Sequence, residues 1–371
     1  MLDTRIPVTL LTGFLGSGKT TLLNHLIPLP QMAKALVIIN EFGSIGIDHD
    51  LVAHSNEDDT IVEMANGCLC CTIKGDLQKT LIDAPWRFAR GGGRWFDRVL
   101  IETTGLADPA PIIHTVMADD ELKALYRLDA VIALVDGYNG NATLDLQMEA
   151  VKQAAVADQL LISKTDIADA AAINGLKTRL GKLNPAAPIY CLPSATADLT
   201  SLFEGPTFNP KLKHEEVQSW LAAEAYEKDH QHHRHDDSED PGHNHSHDHD
   251  HAHDINRHDD RIRSVCLTIE DPLPAQVFDS WLEMLVMFNG VNVLRVKGII
   301  NLAELEKPLV IHGVQHIWHP PEILKNWPSD DRRSRIIFIL RDLEETDLRD
   351  MLAFVQEKFA KTSIVGLDVI R

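Results

Sequence analysis

Residues 13–20 read Gly13-Phe14-Leu15-Gly16-Ser17-Gly18-Lys19-Thr20, the complete G-x-x-x-x-G-K-[ST] spacing of a phosphate-cradling loop. Glycines let backbone N–H groups turn toward phosphate oxygens, and a helix opening near Thr21 adds the partial positive charge of its N-terminus. Gly13, Gly16, Ser17, Gly18, Lys19, Thr20 and Thr21 are therefore expected to hold a nucleotide. Lys19 should reach the β- and γ-phosphates, and the Thr20 hydroxyl should bind Mg²⁺. The bland alternative is a chance glycine-rich turn between a strand and a helix.

Three later segments have the chemistry a GTPase needs. Glu102-Thr103-Thr104-Gly105 closes an apolar run and has the form of a D-x-x-G element with Glu for Asp. Glu102 can hold a water on Mg²⁺, and the Gly105 N–H can sense the γ-phosphate. Ser163-Lys164-Thr165-Asp166 resembles the N-K-x-D guanine reader with Ser for Asn. A carboxylate at Asp166 accepts from both N1–H and the 2-amino group of guanine, a pattern adenine lacks. The alternative for Asp166 is a helix N-cap, since a helical run starts at Ile167. A backbone N–H near Ser194 could bind guanine O6. Leu106 follows Gly105, where a water-orienting glutamine would serve hydrolysis, so slow intrinsic turnover is expected. Glu41 and Asp48 are candidate general bases, or else solvated loop acids.

Gly67-Cys68-Leu69-Cys70-Cys71 places three thiols within four positions. A closed structural zinc site usually draws on two separated pairs. Cys68, Cys70 and Cys71 can instead supply two or three thiolates and leave a position open, which suits exchange of Zn²⁺ or another soft or borderline ion. Glu41 could add an oxygen ligand. The run lies between the phosphate loop and Glu102, the interval where GTPases keep a nucleotide-sensing switch. Burial of three small apolar residues and thiol redox signalling are the competing readings. Cys191 and Cys266 sit in strand patterns and read as core.

Eleven of the nineteen histidines fall within 229–260, among many acids and almost no apolar residues. His243, His245, His247, His249, His251 and His253 alternate strictly. Neutral imidazoles bind Zn²⁺, Ni²⁺ or Co²⁺. The segment cannot bury enough surface to fold alone, so disorder without metal is expected, and a plain solvated linker is the alternative.

These residues need a scaffold. Apolar runs at 8–12, 35–40, 98–102, 130–136, 159–163 and 188–192 predict strands, with helical stretches at 20–27, 74–88 and 167–183. Such alternation predicts an α/β fold, a doubly wound, mainly parallel sheet. Residues 206–228 read as a tether ending in an amphipathic helix near 215–227. Strands at 262–269, 291–302, 309–318 and 335–340, with helices at 275–288 and 346–359, predict a smaller α+β domain. The expected division is 1–205, 206–260 and 261–371.

The chain has 371 residues, 44% hydrophobic and 24% charged, an ordinary globular composition able to form a core without disulfides. Its net charge of −20 repels phosphate backbones and argues against general nucleic-acid binding. No run approaches a membrane span of about 20 apolar residues, and the N-terminus has no secretory pattern. Clustered thiols fit a reducing compartment, so a cytoplasmic protein is expected.

Taken together, T-G-F-L-G-S-G-K-T-T at 12–21, N-E-F-G at 40–43, G-C-L-C-C at 67–71, E-T-T-G-L-A-D-P at 102–109 and S-K-T-D at 163–166 resemble the CobW-like family of P-loop metallochaperone GTPases. The histidine-rich linker and a C-terminal domain resembling the CobW C-terminal domain extend the likeness over essentially the whole chain. The resemblance implies GTP hydrolysis coupled to delivery of a metal, most commonly zinc, to client metalloproteins; the alternatives it carries are cobalt handling in cobalamin synthesis and activation of another metalloenzyme. It makes Cys68, Cys70 and Cys71 the transferable-metal motif and Glu41 an extra ligand, while Ser163 departs from the usual Asn. A metal store or sensor with a regulatory nucleotide site is the rival from another class. A small-metabolite kinase is a third, but it leaves the thiols without a role. Whether the chain forms a homodimer is open.

Overall fold

The computed structural model describes the backbone of residues 4–41, 61–65, 71–192 and 261–367, and side chains within 4–39, 77–192 and 261–360. The chain begins with β1 (Ile6–Gly13), α1 (Lys19–Leu26), β2 (Ala35–Glu41), β3 (Ile61–Ala65), α2 (Cys71–Arg87), a short hairpin of β4 (Ala89–Arg90) and β5 (Gly93–Arg94), and β6 (Arg98–Glu102). It continues through α3 (Ala110–Ala118), α4 (Asp120–Leu125), β7 (Tyr126–Asp136), α5 (Gly140–Leu146), α6 (Met148–Val156), β8 (Gln159–Ser163), α7 (Ala170–Leu183) and β9 (Ile189–Cys191).

Seven of these strands form one sheet in the order β3-β2-β6-β1-β7-β8-β9, and every pairing is parallel. Helices cover both faces of such a sheet, so its strands must be apolar on both sides. β8 is buried at every position and β6 at all but its first. Separate apolar clusters lie on the two faces: Leu10, Ile38, Ile101 and Val131 belong to one, Leu11, Val37, Leu100 and Ile132 to the other. β1 has β6 on one side and β7 on the other, so the chain changes winding direction at β1. Ligands bind outside the carboxyl ends of the strands at such a reversal. Those ends carry Gly13, Glu102 and Asp136.

The remaining chain forms β10 (Ile262–Ile269), α8 (Ala275–Asn289), β11 (Val293–Ile300), β12 (Leu309–Val314), β13 (Ile317–Trp318), β14 (Glu322–Ile323), β15 (Ser334–Arg341) and α9 (Glu345–Leu367). Its sheet is antiparallel, ordered β10-β15-β11-β12-β13, with β14 against β12. α8 and α9 pack together, and Trp281 meets Phe338 edge-on at 5.9 Å within the core. The single strand expected at 309–318 is two. Val314 pairs with Ile317 across a two-residue turn in which Gln315 takes φ 52°, the left-handed geometry such hairpins need. The first apolar cluster runs on into this second body through Ile262, Leu294, Val314, Ile317 and Ile339.

β3 and helices α3 to α6 were not expected. Among the described residues no helix is long and apolar enough to cross a membrane. The tether at 206–228, the helix near 215–227 and the histidine tract lie outside the described residues.

Candidate nucleotide and metal site

The phosphate loop joins β1 to α1 as the motif requires. Gly13 has φ 146°, and a Cβ there would lie 2.5 Å from the Leu134 carbonyl oxygen, so no other residue fits. Gly16 and Gly18 take φ 73° and 92°, and Gly18 is the left-handed residue from which α1 starts. The Ser17 N–H donates to Phe14 O at 3.1 Å and closes the loop. Lys19 is buried, and its Nζ donates to Gly13 O at 2.9 Å and Phe14 O at 3.3 Å, which tucks the ammonium inside the loop. Thr21 faces solvent on the first turn of the helix.

Parallel pairing places Leu11 beside Glu102. The Thr20 hydroxyl donates to Glu102 Oε1 at 3.0 Å, and Glu102 is 1% exposed. A hydroxyl and a carboxylate in contact at the mouth of the sheet form an all-oxygen donor pair, which suits a hard cation such as Mg²⁺. The segment after Glu102 is tied down closely. Thr103 N–H donates to Leu11 O at 2.9 Å, and the Thr103 hydroxyl to Thr12 Oγ1 at 2.9 Å. The Gln153 amide of α6 donates to Gly105 O at 3.2 Å and Ala107 O at 3.0 Å. Lys152 reaches Asp108 at 3.2 Å, and the other Asp108 oxygen accepts from Ala110 N at the start of α3. Leu106 is 47% exposed.

At the far side of the mouth, the Ser163 hydroxyl donates to Ser17 O at 2.6 Å. The serine standing where an asparagine was expected therefore braces the phosphate loop against β8. Lys164 takes φ 54° and its Nζ binds Asp136 Oδ2 at 2.7 Å. Burial pulls the Asp136 carboxyl upward, but Lys164 and the amides of Asn139 and Tyr138 outweigh it and hold it below the usual range. Thr165 Oγ1 donates to Leu192 O at 2.7 Å. Asp166 is exposed and does not cap the next helix: Asp169 does, accepting from Ala172 N at 2.8 Å. The N-cap alternative for Asp166 is thus overturned.

Glu41 ends β2 and Cys71 opens α2, but their side chains lie outside the described ones. Asp48, Cys68, Cys70, Ser194, His243, His245, His247, His249, His251 and His253 lie outside the described residues altogether. Among the described residues no three His, Cys, Asp or Glu side chains converge on a metal-binding point. Cys191 and Cys266 are half-buried at the margins of apolar clusters rather than central to them.

Sequence reasoning missed Gln153, Asn184 and Asp158, whose partners are distant in the chain. Asp158 precedes β8 and is held by Arg295 and, at 3.2 Å, by Lys297, both on β11. No local pattern marks it; only the strand order brings these groups together.

Residues 7–191 match the family model described as CobW/HypB/UreG, nucleotide-binding domain, and residues 262–355 match the cobalamin synthesis protein cobW C-terminal domain. Over 352 residues the chain is 32% identical to zinc chaperone YjiA of Escherichia coli K12, covering 94% of this chain and 98% of that one. Over 189 residues it is 35% identical to zinc-regulated GTPase metalloprotein activator 1 of Schizosaccharomyces pombe, covering 50% of this chain and 45% of that one. Its structure is similar to that of Zn(II)-bound YjiA GTPase from E. coli, with a TM-score of 0.66 and 27% identity over 95% of this chain and 99% of that one.

Proposed function

The chain belongs to the CobW/HypB/UreG family, and from that premise we propose that it is a GTP-hydrolysing metallochaperone that carries zinc on Cys68, Cys70 and Cys71 to client metalloproteins. The observation that carries the reading is topological. β3 and β1 run parallel in one sheet, so the chain leaves β3 at Ala65 on the same end of the sheet as the phosphate loop, and α2 begins at Cys71. Three strand spacings, about 14 Å, separate β3 from β1. Glu41, at the end of the neighbouring strand β2, pairs with Ala65 at this same end. That placement of Ala65 and Glu41 supports coupling between thiolates in the 66–71 interval and the γ-phosphate.

The residues take the following roles. Lys19 exchanges its two loop carbonyls for β- and γ-phosphate oxygens. Thr20 and Glu102 would hold Mg²⁺, which supplies charge neutralisation to the phosphates. Gly105 offers its N–H to the γ-phosphate. Asp166 reads the guanine base, Lys164 and Ser163 fix the strand end that carries it, and the Ser194 N–H meets guanine O6. Leu106 orients no water, so turnover is slow until a client, metal or second subunit supplies what is missing. Cobalt and nickel are the other ions this donor chemistry accepts. The histidines of 229–260 gather metal nearby. We assign 1–205 to the GTPase unit, 206–260 to the linker and 261–371 to client recognition, in a cytoplasmic protein.

Equilibrium dialysis of Zn²⁺ with the full chain tests the coupling. Zinc affinity is expected to differ between GDP and a non-hydrolysable GTP analogue, and Cys70→Ser should weaken the tight class of sites. Lys19→Ala should impair nucleotide binding while leaving zinc binding intact without nucleotide. Equal zinc affinity with GDP, with the analogue and with neither would remove the switch from the proposal.

A further inference from the structure

We infer that Gln153 is a positioning residue for γ-phosphate recognition, acting through the backbone of Gly105; the inference rests on the assignment of Gly105 made above. Glycine has no Cβ to restrict it, so an N–H that must point at one phosphate oxygen needs its neighbours held. Before Gly105 the hold comes from β1, through Thr103 N–H to Leu11 O and the Thr103 hydroxyl to Thr12. After it, a turn from Thr104 holds Leu106 N–H and Ala107 N–H, at 3.3 Å to the Thr104 hydroxyl and 3.2 Å to Thr104 O, and the Gly105 carbonyl itself is held by the Gln153 side chain. Both hydrogens of the Gln153 amide are used, one on Gly105 O at 3.2 Å and one on Ala107 O at 3.0 Å. Gln153 is 1% exposed and its bond to Gly105 O is buried, while Ala107 is half-buried. On its other side Gly105 abuts the phosphate loop: a Cβ there would lie 2.6 Å from Leu15 N. The glycine is thus fixed between two walls, with its amide left to address the ligand.

The wall that Gln153 belongs to is itself anchored. The Asn184 amide, 1% exposed, donates to Ala154 O at 2.9 Å, Ala155 O at 3.1 Å and Ala157 O at 2.9 Å, satisfying the carbonyls at the end of α6. Next to Gln153, Lys152 grips Asp108 at the far end of the same segment. One turn of α6 therefore holds residues 105, 107 and 108 against a helix whose last turn is itself tied down by Asn184.

The test compares full-length Gln153→Met with the unaltered chain. Methionine keeps the length and loses both donors. The dissociation constant for GDP is expected to stay within about twofold, while that for a non-hydrolysable GTP analogue rises about tenfold and kcat falls about tenfold, the scale of one or two neutral hydrogen bonds. An equal loss for both nucleotides would mean a merely structural role, and no change in either would mean no role; both outcomes overturn the inference. Lys152→Met, at a partly exposed position, keeps the question decidable if the buried variant does not fold. It should shift the analogue-to-GDP ratio the same way by about threefold, and an unchanged ratio counts against the inference. The amide resonance of Gly105, read in 15N-glycine-labelled chain, separates the two layers. If it is the same with GDP and with the analogue, the γ-phosphate assignment fails and takes Gln153 with it. If it differs between them while Gln153→Met leaves the affinity ratio unaltered, only the role of Gln153 is lost.

Discussion

Glu102 sits 1% exposed with the Thr20 hydroxyl 3.0 Å from one oxygen, an arrangement that makes sense when a cation and its water share the load. Glu102→Gln keeps the shape and removes the charge. Groups that orient a metal's water typically contribute 10–100-fold, so kcat should fall by about that factor, and raising Mg²⁺ should recover part of it. A single-turnover assay across Mg²⁺ concentrations reads this directly; an unchanged Mg²⁺ dependence would count against the pairing. Asp166 supplies a second test. It is exposed and does no capping work. Asn at that position exchanges an acceptor for a donor, and xanthine carries a carbonyl where guanine carries the amino group. Asp166→Asn should lower GTP affinity about 10–100-fold, the value of a hydrogen bond to a charged acceptor, and raise affinity for xanthosine triphosphate. Competition of both nucleotides for one fluorescent analogue decides it, and a parallel loss for both would mean that Asp166 does not touch the base.

The strand ends that display these residues are braced against one another, and Ser163 is the clearest brace. Its hydroxyl donates to Ser17 O at 2.6 Å, from the end of β8 into the phosphate loop. Ser163→Ala leaves that carbonyl buried without its partner, at a cost of about 1–3 kcal/mol. The chain should melt earlier and bind GDP and GTP analogue equally less tightly, because the loop serves both. A loss confined to the triphosphate would contradict this. Local sequence announced the loop and the strands at 98–102 and 159–163 at their observed limits. It did so because apolar runs buried on both faces, flanked by glycine motifs, have few other solutions. α3 escaped notice because it is apolar on nearly every side, its residues Ala110, Ile112, Ile113 and Val116 all being buried, so no period stands out. β3 reads Ile-Val-Glu-Met-Ala, with an acid at its centre breaking the apolar run. Asp166 and Asp169 are equally good caps by composition, and only the turn made by Lys164 to Ile167 decides between them. The partners of Ser163 and Gln153 depend on strand order, which no window of sequence contains.

The two sheets are locked by one buried charge cluster, and that cluster ties stability to pH. Asp158 lies between α6 and β8 and accepts from Val131 N at 2.9 Å. Burial alone would raise its carboxyl, but Arg295 and Lys297 across the boundary hold it well below the usual range. Removing one member of such a cluster leaves the others buried and uncompensated, typically at about 3–5 kcal/mol. Asp158→Asn should therefore destabilise the whole molecule by that much in urea, whereas Arg261→Ala, which breaks an exposed pair with Asp342, should leave the urea midpoint nearly unchanged. His312 shares the cluster. Burial foremost, then Lys297, His319 and Arg295, push its imidazole well below 6.5, against the opposing pull of Asp158. Because the folded state resists a proton that the unfolded state accepts, the stabilisation is complete above about pH 6.5 and is lost as pH falls toward the folded value, at up to about 1.4 kcal/mol per pH unit. Asp158 acts in the same direction, but only below the ordinary carboxylate value of 3.8. Between pH 6.5 and 4.5 the slope contributed by the cluster therefore belongs to His312. Urea melts across that range should show stability falling with acid, and His312→Gln should flatten the slope by up to one proton. If the variant keeps the full slope, the pH sensitivity resides elsewhere and the imidazole is not what makes this boundary acid-sensitive.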